Sequence, residues 1–86
     1  MKKYELINNK WERNSTRKNS KWKLSWTNAK QVDDAEVKKS IEEFNSMPFE
    51  KYIEDYEGLG GAVGKKYTVI SGAGLIRYEV IIIPSI

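Results

Sequence analysis

The sequence predicts a small α+β domain: a single layer of about four mostly antiparallel strands in β-β-α-β-β order, packed against one kinked or two short helices. Three observations predict it. The run from Leu75 to Ile83 is dominated by Ile, Leu and Val, is preceded by Gly72 and Gly74, and is closed by Pro84. Such a run fits a strand buried on both faces at the centre of a core. Lys21 to Thr27 alternates strictly, with Trp22, Leu24 and Trp26 on one face and Lys21, Lys23, Ser25 and Thr27 on the other. After Asp33 the apolar period lengthens to that of a helix.

Taken in order, Tyr4 to Ile7 forms a short first strand, after which either Asn8-Asn9 forms a turn or Trp11 continues the strand past an irregularity, while residues 12–20 hold no apolar side chain and form an exposed polar loop. The alternating Lys21–Thr27 strand pairs back on the first. Asp33 or Asp34 caps a helix, and Glu36 suits the positive end of its dipole. Val37, Ile41 and Phe44 form its apolar stripe beside Ser40, backed by Lys38, Lys39, Glu42 and Glu43. Asn45-Ser46 ends or bends this helix ahead of Pro48. A second helical stretch then carries Phe49, Tyr52, Ile53 and Tyr56 on one face and stops at Gly58. A glycine-rich connector (58–64), a third strand (65–71), a tight glycine turn and the terminal strand complete the domain. The expected core is Trp22, Leu24, Trp26, Val37, Ile41, Phe44, Ile53, Val69, Val80 and Ile82.

With 86 residues there is room for one domain, 1–86, with a modest core. No cysteine is present to make a disulfide or thiolate site, which suits a reducing cytoplasm, and no histidine is present to act as a base or metal ligand. The opening MKKYELINNK lacks the apolar run of a secretory segment, so the Asn14-Ser15-Thr16 triplet is discounted as a glycosylation site. The terminal run is too short for a membrane span and contains Arg77 and Glu79.

The net charge of +3 conceals a division: residues 1–30 carry +7, residues 31–60 carry −6 and residues 61–86 carry +2. One basic and one acidic surface are expected, either of them suited to docking. The small core and the mixed polarity of the first strand suggest an edge able to pair with a second copy, unless Lys2 and Lys3 keep it single.

The sequence carries little reaction chemistry. Leu59 and Lys66 stand where a phosphate-binding P-loop needs Gly and Ser or Thr, and Val63 breaks the dinucleotide glycine pattern. Asp33, Asp34 and Glu36, or Glu50 with Glu54, could hold a hard cation, but no loop of calcium-binding spacing is present. Glu36-Val37-Lys38 matches a nuclease-like Glu-x-Lys element only on a helix. No cofactor, metal or catalytic residue is assigned.

Two binding readings remain. Glu54, Asp55 and Glu57 crowd the end of the second helical stretch, where the dipole disfavours acids. Solubility, pairing with the basic first strands, or a docking surface would each explain them. With Tyr52 and Tyr56 they suggest a non-enzymatic inhibitor or adaptor that binds another protein. Alternatively Trp11, Arg13, Arg17, Lys18, Lys21 and Lys23 could track a nucleic-acid backbone. Trp22 and Trp26 are expected in the core, while Trp11 fits either its rim or an exposed anchor.

Overall fold

A computed structural model describes residues 3–84, the side chain of Leu59 apart; Lys2 therefore lies outside the described residues. Five strands and one helix follow in the order β1 (Tyr4–Glu12), β2 (Lys23–Val32), α1 (Asp34–Ser46), β3 (Glu50–Glu57), β4 (Val63–Ser71) and β5 (Ile76–Pro84). The strands form one antiparallel sheet in the order β2-β1-β5-β4-β3. The predicted class stands: a small α+β domain with its sheet against a helix. As its composition suggests, β5 is the central strand.

The helix begins and ends where the sequence places it. Asp33 accepts a hydrogen bond from the Glu36 amide at 3.0 Å, and the Met47 amide donates to the Phe44 carbonyl at 3.3 Å. Phe44 is buried and meets the Tyr67 ring edge-on at 5.3 Å between centroids.

The second helical stretch is instead the strand β3. Phe49, Tyr52, Ile53 and Tyr56 happen to follow a helical spacing, but Tyr and Ile also favour strands. Pairing with β4 decides between the two. It sets Glu54 opposite Lys66 and Asp55 opposite Lys65, cross-strand partners that a lone helix could not offer. The connector between these strands is a hairpin turn over residues 58–62, with Gly60 and Gly61 at positive φ, and Val63 and Gly64 already belong to β4.

Opposed residues in a sheet share a face, so the registers sort every side chain. Leu6, Val32, Val69 and Ile82 lie on the helix side and are buried with Phe44. The other face carries Ile7, Asn9, Trp11, Lys66, Thr68, Arg77, Glu79 and Ile81. The Trp22-Leu24-Trp26 face does not survive. Lys10 opposes Trp26 while Trp11 opposes Leu24, so Ser25 is the extra residue of a bulge that turns Leu24 and Trp26 to opposite faces. Leu24 (48% exposed) and Trp26 (53%) lie outside the core, as does Ile53 (59%) on β3. Trp22, just before β2, is half-buried, like Val37, Ile41 and Val80. Strand β1 is flanked on both sides, so self-pairing through its edge is ruled out; the sheet's edges are β2 and β3.

Candidate functional site

Tyr52, Glu54, Asp55, Tyr56 and Glu57 all lie on β3, now a sheet edge rather than a helix end. No helix dipole opposes their charge, so that motive for a docking role disappears. Two of the acids have partners, drawn from β4 rather than from the basic first strands. The Lys65 ammonium donates to the Asp55 carboxylate, and Lys66 Nζ lies 3.8 Å from Glu54 Oε2. The hydrogen bond from Lys65, reinforced by its charge, holds the Asp55 carboxyl below the usual carboxylate range and raises Lys65 in turn. Tyr52 donates to Glu50, which raises the tyrosine pKa by stabilising its protonated hydroxyl.

Behind this strand lies an apolar cleft of about 700 Å³ between α1 and the β3–β4 hairpin. Val37 and Ile41 form one wall, Tyr67 and Ile82 line the sheet side, and Asp55, Tyr56 and Glu57 stand at the β3 side with Val63, which is 64% exposed. The cleft arises because the apolar stripe of α1 is sealed at its Phe44 end only, while Val37 and Ile41 stay half-buried. Gly64 lets the hairpin approach β5: a β-carbon there would stand 2.2 Å from the Ile82 carbonyl oxygen. Of the β3 residues singled out in the sequence, Asp55, Tyr56 and Glu57 share this cleft with Val37 and Ile41, whereas Tyr52 and Glu54, opposite Thr68 and Lys66, lie on the sheet face away from the helix and do not line it. Only knowledge of β3 as a strand brings the cleft residues together.

The basic and aromatic set assembles differently. Trp11 and Trp22 are stacked by protein cations: Arg77 lies 5.1 Å and 5.0 Å from their respective ring centres, and Arg13 lies 4.3 Å from that of Trp22. Arg13 Nε also donates to the Gly74 carbonyl at 2.8 Å, tying the β1–β2 loop to the β4–β5 turn. Arg17, Lys18, Lys21 and Lys23 remain exposed, with no side-chain partner among the described residues.

Beneath Arg77 sits a carboxylate that sequence reasoning passed over. Glu79, 6% exposed, accepts from the Trp11 indole N–H at 2.6 Å and the Asn9 amide at 3.3 Å. Arg77 Nε and Lys66 Nζ approach its other oxygen at 3.5 and 3.9 Å. The Arg77 contact is ionic, since Nε makes no well-directed hydrogen bond. The available signal was an acid in the midst of the most apolar run.

The proposed cation ligands point elsewhere. Asp33 caps α1, Asp34 and Glu36 face Lys3 and Lys30, and Glu50 and Glu54 face Tyr52 and Lys66. Among the described residues no three acids, histidines or cysteines converge on a metal position, and no helix is long and apolar enough to cross a membrane. The chain matches no protein-family model, no curated protein and no solved structure.

Proposed function

We propose that this protein is a small adaptor or inhibitor, without a reaction of its own, that docks on another cytoplasmic protein through the cleft behind β3. The observation that carries the reading is an open apolar cleft whose β3 side holds Asp55, Tyr56 and Glu57. An apolar centre with aromatic and charged surroundings suits a protein interface. The cleft lining carries Asp55 and Glu57 against Lys65, so the complementary ligand is a segment with a basic residue beside a branched apolar anchor. Nucleic-acid binding has less support, because Trp11, the aromatic member of its basic set, already carries Arg77 over its ring.

The test is a titration of the isotope-labelled chain, followed by amide shifts, with an unstructured peptide alternating Leu and Lys. Saturable shifts at Val37, Ile41, Val63 and Gly64, lost with Val63→Asp and weakened by Glu57→Lys, are expected. A Leu–Glu peptide should not bind. If neither peptide moves the cleft amides, while generic single-stranded DNA shifts residues 17–23 at low salt, the nucleic-acid reading takes its place.

A further inference from the structure

We propose that copies of this chain associate edge to edge, the basic strand β2 of one pairing with the acidic strand β3 of the next. These strands are the two edges of the sheet, and each has a strand neighbour on one side only. An uncovered edge presents backbone donors and acceptors that a further strand can complete.

Charge selects the pairing. Strand β2 contains Lys23 and Lys30 and no acid, whereas β3 contains four acids and one lysine. Lys30 also faces Glu36, and Glu54 and Asp55 face Lys66 and Lys65, which leaves Lys23 on one edge and Glu50 and Glu57 on the other without an ion-pair partner among the described residues. Two β2 strands, or two β3 strands, would bring like charges together, which opposes cross-strand pairing. Joining β2 to β3 brings opposite charges together, and Lys18 and Lys21 just before β2 add to the attraction.

Both edges also hold apolar side chains out to solvent. Leu24 and Trp26 stand exposed on opposite faces of β2, and Tyr52 and Ile53 do so on β3. The joint would therefore cover apolar surface on both sides of an extended sheet. The bulge at Ser25 makes the outer edge of β2 irregular there, leaving Trp26 to Val32 as the regular stretch for pairing. Because the two surfaces differ, the contact is heterologous. Each added copy exposes a fresh β2 or β3, so growth proceeds as an open row rather than stopping at a dimer. The joint uses the outer backbone of β3 and stands whether or not the cleft binds a partner.

Sedimentation of the full chain, from about 5 to 500 μM and in low and high salt, tests this. Average mass should climb with concentration at low salt without levelling at two copies, and should fall at high salt. Two charge-reversed variants sharpen it: Lys23→Glu with Lys30→Glu makes both edges acidic, and Glu50→Lys with Glu57→Lys makes β3 basic. Each alone should associate at least about tenfold more weakly than the parent, and a mixture of the two should recover association. Val63→Asp, which blocks the cleft, should leave self-association unchanged, so failure of the cleft reading and failure of this one are separable. A monomer at every concentration, a closed dimer indifferent to salt, or a mixture that stays apart while both variants remain folded by circular dichroism would overturn the proposal.

Discussion

Replacing Glu79 by Gln tests whether the polar cluster on the helix-free face holds the sheet together. The carboxylate is almost fully buried, and it accepts the Trp11 indole hydrogen bond at 2.6 Å. A hydrogen bond to a charged group contributes about 1.5–3 kcal/mol, and short ones such as this belong to the stronger class. Glutamine keeps an acceptor for Trp11 but removes the charge facing Arg77 and Lys66. Those two side chains are 24% and 28% exposed, so water relieves part of the loss. The expected cost is about 2 kcal/mol, near the low end of that range. In a domain of this size it lowers the melting temperature by roughly 8–16 °C. Glu79→Ala, which strands the donors and both cations, should cost more, about 3–5 kcal/mol. Urea unfolding followed by tryptophan fluorescence measures both. A double-mutant cycle with Trp11→Phe then isolates the indole contact. A Glu79→Gln cost below about 0.5 kcal/mol, with no coupling to Trp11, would refute the reasoning.

Three further outcomes are expected. Phe44→Ala should cost about 3–5 kcal/mol by urea melts, while Ile41→Ala, half-buried at the cleft wall, should cost less than the roughly 2–5 kcal/mol of a sealed site. Gly64→Ala should destabilise by about 1–3 kcal/mol or more in the same assay, because the β-carbon meets backbone at Ile82 rather than a yielding side chain. Asp55 has its folded pKa below the unfolded one, so its contribution to stability is present above the ordinary carboxylate pKa and fades as pH falls through the lowered folded value. Carbon-detected titration should show that depression, and Lys65→Ala should abolish it.

The helix and the central strand were legible because each carries a long pattern with its own boundaries: a capping aspartate and a proline for α1, glycines and a proline for β5. Residues 50–57 were not. In an eight-residue strand with Tyr52, Ile53 and Tyr56, the helical and extended periods coincide too often to be separated locally. What separates them is β4, and pairing between strands leaves no mark in one strand's own periodicity. The misplaced tryptophans have a similar cause. One extra residue at Ser25 turns the following side chain to the opposite face, and a bulge has no strong composition of its own. The candidate site shared that blindness: Asp55, Tyr56 and Glu57 were read from composition, but the cleft depends on how β3, β4 and α1 meet.

The central position of β5 has a consequence for how the chain is made. Strands β1 and β2 form one hairpin and β3 and β4 another, each closed by contacts between near neighbours. Only β5 joins them, and it is the last of the five strands to leave the ribosome. Isolated hairpins are marginal in water. The nascent chain therefore holds two incomplete ribbons until Ile76–Pro84 emerges and pairs with β1, some 70 residues back. During that interval the flanks of β1 and β4 that β5 will later occupy are open to any extended neighbour.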